Sequence, residues 1–361
     1  MGNARPAPAS PARRRRLVVL AAAIVAAVVA VAVMVALTGG DGEPAAAPEA
    51  PATTAPVREV FPLTGQPVGD RATAARPPLS IKIENVAAAR PQAGLNAADV
   101  VTEELVEGGL TRLLATYHST DAPLVGPVRS ARPVDAALLR QLGGGLFAFS
   151  GAARAVLDQI RRDSGATLVG PDEAPDAYRR LAAARAPHDL FSSTTALYAA
   201  GRAADAGLGP PRPILSFAAT PPAGARPVRG IRLRFSPSSR AAWQWQASRR
   251  LFERLQDGTL HRLRDGRPVT TDNIVVLHVT IGRTAITDAA GNPTPDVDVL
   301  GEGAAWVLRD GRAVTGRWQR GAVGDPVRLT GPGGGQIRLR PGRTWIELLP
   351  ATERPELLTA G

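Results

Sequence analysis

The chain has 361 residues, with 43 Lys+Arg against 32 Asp+Glu, a formal net charge of +11 and 44% hydrophobic residues. That length exceeds what one ordinary core supports and predicts two folded units. The lack of cysteine excludes disulfides, thiolate metal sites, a Cys nucleophile and a lipid-bearing cysteine.

Residues 1–16 form a basic segment ending in Arg13 to Arg16, and Leu17 to Leu37 is an unbroken apolar run of 21 residues. As a helix this run spans roughly 30 Å, the thickness of a bilayer's hydrocarbon core. Four arginines precede it and Asp41 is the first charge after it. That asymmetry predicts a single-pass signal-anchor in the cell membrane, N-terminus in the cytoplasm and the C-terminal domains extracytoplasmic. The core of a cleaved signal peptide would be shorter, about 7–15 residues. Residues 38–60 are Pro/Ala-rich with no apolar periodicity, the composition of a disordered tether. Past residue 57 come 38 basic and 29 acidic residues. Outside a cell such an excess meets cell-wall polymers, envelope proteins and lipid headgroups, so nucleic acid is not an expected partner.

Residues 61–206 mix strand and helix patterns and predict an α/β domain. Leu79 to Asn85 alternates, with Leu79, Ile81 and Ile83 on one face and Ser80, Lys82 and Glu84 on the other. Asp99 to Glu107 and Leu110 to His118 are strand candidates joined at Gly108-Gly109, the signal of a two-residue hairpin. That turn pairs Glu107 with Leu110, Leu105 with Arg112 and Glu103 with Leu114, and it puts Glu104 on the opposite face. Helices are expected over Val134 to Leu142 behind Pro133, over Ala152 to Arg162, and over Thr194 to Ala206 behind Ser192 and Ser193. Gly145 to Ser150 fits a short buried strand. Residues 207–227 (GLGPPRP at their start) are a linker. Residues 228–350 hold short β segments punctuated by Asp257-Gly258, Asp265-Gly266 and Asp310-Gly311, including Gln336 to Leu339, and predict a mostly β domain, a sandwich or open barrel. Residues 351–361 are a tail. The fold class is α+β.

Of the 43 basic residues, Lys82 is the one lysine, which singles it out for a role needing a compact ammonium. Lys82 and Glu84 share a strand face and can pair or project into a cleft with Asn85. Arg112, diagonal to Glu103 and Glu107, forms either a cross-strand ion pair or one wall of a polar pocket; Glu104, on the opposite face beside Leu113, would have a raised pKa if no cation came near. Arg129, Ser130 and Arg132 stand just before a helix start, where backbone N–H groups and arginine forks favour carboxylate or phosphate; the bland reading is an arginine-rich surface loop. His188 beside Asp189 could set an imidazole tautomer for general-base work with Glu104 or Glu107, or order its loop. The four histidines show no metal-ligand spacing, a P-loop and a Gly-x-Ser-x-Gly elbow are absent, and neither metal nor cofactor is expected. Trp243 and Trp245 share one strand face, as core or as an exposed platform.

The segments Arg90 to Ala115 (RPQAGLNAADVVTEELVEGGLTRLLA) and Val125 to Pro133 (VGPVRSARP) resemble the YerB-like family of bacterial lipoproteins. Ile81 to Asn85 (IKIEN), Pro187 to Phe191 (PHDLF), Asp310-Gly311, Gly316 to Trp318 and Pro341 to Ile346 (PGRTWI) extend the resemblance over most of residues 61–350. It implies an extracytoplasmic protein of two domains of unknown function, associated with envelope or peptidoglycan assembly, and no established reaction. The chain departs from the pattern with an apolar span in place of the lipidated Cys, Glu84 in place of Asp, and Asp189 in place of Asn. The expectation is a membrane-anchored ligand-binding or scaffold protein of the cell envelope; the alternative is an envelope hydrolase or transferase with a Glu/His acid–base pair.

Overall fold

The computed structural model describes residues 59–288 and 291–359, together with Met34. The expected membrane span at 17–37 lies, apart from Met34, outside the described residues, as does nearly all of the 38–60 tether. Among the described residues no helix is long and apolar enough to cross a membrane.

The first half of the described chain runs α1 (Arg71–Ala75), β1 (Leu79–Glu84), β2 (Val100–Leu105), β3 (Thr111–Tyr117), α2 (Pro133–Leu142), β4 (Gly145–Ala148), α3 (Arg154–Asp163), β5 (Ala166–Leu168), β6 (Tyr178–Arg180), β7 (Leu190–Ser192) and α4 (Thr194–Ala204). The second half is all strand: β8 (Arg226–Pro227), β9 (Gly230–Ser236), β10 (Ser239–Gln246), β11 (Leu251–Gln256), β12 (Thr259–Leu260), β13 (Thr270–Thr271), β14 (Asn273–Thr287), β15 (Pro293–Asp298), β16 (Gly301–Arg309), β17 (Arg312–Arg320), β18 (Arg328–Thr330), β19 (Thr344–Pro350) and β20 (Glu356–Leu358). The class is α+β and mostly β. Gln336 to Leu339 forms only isolated bridges, to Thr330 and Phe217, and the expected tail supplies β20.

Segments 61–206 and 228–350 share one sheet. Its order is β18-β17-β16-β14-β19-β2-β3-β1-β4-β5, and β19 lies parallel to both β14 and β2. The cause is written in the strands: every residue of β2 and of β19 is buried, so neither can serve as an edge. A smaller sheet, β12-β11-β10-β9-β20 with β13, packs on one side. One apolar cluster (Ile81, Leu113, Trp243, Trp345) fills the space between the sheets and under α4, and a second (Leu114, Leu139, Phe147, Ile346) lies on the other face under α2 and α3. Arg309, buried on β16, donates to the carbonyls of Ala218 (2.8 Å), Ala219 (2.8 Å) and Thr220 (3.2 Å) and fixes the connecting segment.

Two local readings change. The alternation of β1 predicts one wet face, yet all six residues are buried, because α2 and the 126–132 segment cover the Ser80-Lys82-Glu84 side. The β2–β3 connection is also longer than a two-residue hairpin. Val106 to Leu110 form a five-residue loop with both glycines at positive φ, and the register shifts by one: Glu104 faces Arg112, and Glu103 faces Leu113. A shift of one residue exchanges the faces. Glu104 and Arg112 therefore join Lys82 and Glu84 under α2, while Glu103 turns to the other sheet. In the second half, Asp257-Gly258 and Asp310-Gly311 do close two-residue turns with both residues at positive φ.

Candidate functional site

The side chains of Lys82, Glu84, Glu104 and Arg112 stand on one face of the large sheet, brought together by the β1–β3 and β3–β2 registers. Deepest is a triad with no exposed side-chain surface: the Lys82 ammonium contacts Glu104 and lies 2.7 Å from Asp135 Oδ1. Asp135 enters because Pro133 starts α2, putting Asp135 at the third helical position, where its other oxygen accepts the Arg132 N–H at 2.7 Å. Burial pushes the Glu104 carboxyl up to about 7; Lys82 opposes this and Asp135 adds to it.

A second layer reaches solvent. Arg129 contacts Glu84, Arg112 Nε lies 3.7 Å from Glu84 Oε1, and His188 Nδ1 lies 3.5 Å from Glu84 Oε2. Arg132 pairs with Glu107 through Nε at 2.9 Å, and the Thr294 hydroxyl donates to the same carboxylate at 2.5 Å. Burial raises the Glu107 carboxyl, but the bonds from Arg132 and Thr294 outweigh it and hold the group below the ordinary range. Arg112 and Arg132 both donate to the Ser130 carbonyl, at 3.0 and 3.4 Å, so two guanidinium groups crowd one oxygen. Burial, then Arg132, lower the Arg112 pKa. Beside Arg132 opens a cavity of about 340 Å³ lined by Glu107, Ser130, Arg132, Gly151, Ala152 and Ala153 among others. Ala153 is the N-cap of α3 and makes no side-chain cap, and Ala152, Ala153 and Val156 line the cavity, so the head of that helix borders it.

Nine of the ten residues singled out from sequence gather here: Lys82, Glu84, Glu104, Glu107, Arg112, Arg129, Ser130, Arg132 and His188. They divide by depth. Lys82 and Glu104 are sealed and can touch no ligand; Arg129, with 26% of its side chain exposed, and His188, with 17%, reach solvent, and the part-exposed Ser130 and Arg132 line the cavity. Asn85 is on the opposite face, donating to Thr111 at 2.8 Å and Glu103 at 3.1 Å, because alternation turns it away from Glu84. The His188–Asp189 pairing is replaced: Asp189 bonds Arg180 at 2.6 Å and His188 turns to Glu84. Among the described residues no group of His, Asp and Glu forms a metal site. Trp243 is wholly buried, donating to Glu347 Oε1 at 2.7 Å, so that strand face is core.

Sequence reasoning missed a second buried polar cluster, between the sheets. Arg254 pairs with Glu103 under the ring of Trp345 (5.0 Å), bonds Gln256, and meets His261 Nδ1 at 2.9 Å. His261 contacts Gln92 at 2.7 Å. Glu347 stands in register beside Glu103. Burial and the Glu103 charge raise its pKa well above the carboxylate range, so Glu347 keeps its proton at neutral pH. The legible signal was acid within two strongly apolar strands, Glu103 next to Glu104 in VVTEEL and Glu347 alone in TWIELLP.

Residues 63–207 match the family described as Protein of unknown function (DUF3048) N-terminal domain, and residues 231–346 match its C-terminal domain. The chain belongs to this YerB-like family. A relative from Bacillus subtilis (strain 168), named "Putative lipoprotein YerB", is 26% identical over 295 residues, covering 80% of this chain and 86% of its own. The crystal structure of the YerB protein from Bacillus subtilis superposes with a TM-score of 0.72 at 24% identity, covering 83% of this chain and 100% of that one. The family's two segments are therefore the two contributors to the shared sheet, and the candidate site lies mainly on the N-terminal one.

Proposed function

We propose that this protein is a membrane-anchored, extracytoplasmic ligand-binding or scaffold protein of the cell envelope, and that its arginine site holds an anionic group of a wall polymer during peptidoglycan assembly. The observation that carries this reading is Arg132 lining an open cavity at the head of α3, with Arg112 joined to it at the Ser130 carbonyl and Arg129 on the neighbouring Glu84, against two acids, Glu107 and Asp288, in the same lining. Arginine forks and free backbone N–H groups recognise carboxylate and phosphate, the anions of peptide stems and teichoic polymers. The oriented apolar run at 17–37 supports the location, as does the word lipoprotein in the name of the Bacillus relative.

The hydrolase or transferase alternative needs an acid that is both poised and reachable. Glu104 is poised near 7 but sealed, while Glu107 lines the cavity but is held low and paired. Binding is the better fit to this geometry. Co-sedimentation of the full chain in detergent with purified bacterial walls tests it: Arg129→Ala/Arg132→Ala should lose wall binding at a temperature where circular dichroism shows the variant still folded, with Arg129→Lys/Arg132→Lys, which keeps the charges opposite Glu84 and Glu107, as the second variant. Equal binding by wild type and the alanine variant would refute the site, and release of soluble fragments from the walls, abolished by Glu104→Gln, would favour the alternative.

A further inference from the structure

Lys82 is linked to the backbone of two site arginines without reaching solvent, to Arg129 through its own carbonyl and to Arg132 through Asp135. Its carbonyl accepts the Arg129 N–H at 2.9 Å. Its ammonium lies 2.7 Å from Asp135 Oδ1, and the other Asp135 oxygen accepts the Arg132 N–H at 2.7 Å. The same ammonium contacts Glu104, which stands in register opposite the third arginine, Arg112. Glu104 Oε2 has no hydrogen-bond partner among the described residues. A compact ammonium can bridge two carboxylates in a sealed space where a guanidinium would strand several donors, which accounts for a lone lysine in a chain of arginines.

We propose that Lys82 is the positioning residue of the arginine site and that, through Glu104, it couples the hold on an anion to uptake of a proton. This inference rests on the anion-binding reading above. With Glu104 ionised, the triad carries two carboxylates against one ammonium, a surplus negative charge beneath the arginines. Protonated, the triad is balanced, and one negative charge beneath Arg112, Arg129 and Arg132 is gone while their pairing with Glu84 and Glu107 stays as it was. An anion therefore binds more tightly as Glu104 takes up its proton, and by linkage the bound anion draws that proton in. Position and charge agree with the carboxyl's placement near neutrality. The charged groups facing Glu104 are Lys82 from β1, Arg112 from β3, and Asp135 and Arg132 from the head of α2; β15 also packs on β2, but its Asp296 and Asp298 are exposed. His188, against Glu84, is the rival source of a pH response.

The test is calorimetric titration of the full chain in detergent with sulfate, an anion of fixed charge, between about pH 8.5 and about pH 5.5. Affinity should rise about fivefold or more as pH falls through neutrality, with a proton taken up on binding. Glu104→Gln should bind at the low-pH level at every pH, and Lys82→Met should bind weakly throughout with no rescue by Lys82→Arg. A flat wild-type profile, or an inflection that survives Glu104→Gln, overturns the coupling. Sulfate binding that is flat with pH yet lost in Arg129→Ala/Arg132→Ala defeats this inference alone, whereas no sulfate binding at any pH defeats the anion site as well.

Discussion

Glu104 and Glu347 are both buried acids with raised pKa values, and each ties a proton to folding. A carboxyl whose folded pKa lies above its unfolded value contributes stability that is present below the unfolded pKa and lost as pH rises through the folded one. For Glu104 that window runs from 4.5 to about 7. Denaturant unfolding of the wild type should therefore show stability falling by about 3 kcal/mol across it on this residue's account, and Glu104→Gln should flatten that part of the curve. An unchanged slope would mean that the carboxyl is not carrying the proton. The inter-sheet acids predict an asymmetry at neutral pH. Glu347 already holds the proton, so Glu347→Gln should cost less than about 1 kcal/mol, while Glu103→Gln strands the buried Arg254 and should cost about 3–5 kcal/mol. Equal costs would contradict a protonated Glu347. Residue identity was legible from sequence at this scale; depth was not. Lys82, alone among 42 arginines, was conspicuous, yet alternation within β1 says only which face it occupies, and the covering helix is remote in sequence.

Turns decide the elements. Gly258 and Gly311 both follow Asp at positive φ in two-residue turns, but a Cβ on Gly258 would meet nothing within 4 Å, whereas one on Gly311 would come 2.6 Å from Trp245 Nε1. Gly258→Ala should cost the left-handed penalty, about 1–2 kcal/mol, and Gly311→Ala a further ~1–3 kcal/mol of overpacking. Thermal melts of the two variants check the order, and a reversed order would contradict the packing of Trp245 on that turn. Helices α2, α3 and α4 lay close to where Pro133, the apolar spacing and Ser193 placed them. The glycine pair at 108–109 misled because both residues do take positive φ, while Leu110 turns outward and adds to the loop. That one-residue difference puts Glu104, and not Glu103, on the face of Arg112.

At the scale of the whole molecule, the two family segments are neighbours in sequence and partners in one sheet. β19 lies between β14 and β2, with Ile346 in register with Val275 and Thr102. Residues 59–227 alone should therefore lack a cooperative unfolding transition, and mixing with residues 228–359 should restore one; independent cooperative folding of the first fragment would contradict the shared sheet. No local pattern in β19 names its partner strand, which is why composition suggested a self-contained β unit.

The central claim is that Arg112, Arg129 and Arg132 form an anion site beside α3, and crystals of the full chain grown with selenate test it most directly. The anomalous difference map should place a peak within hydrogen-bonding reach of Arg129 or Arg132. Selenate peaks confined to other surfaces, with that cavity empty of them, would contradict the account.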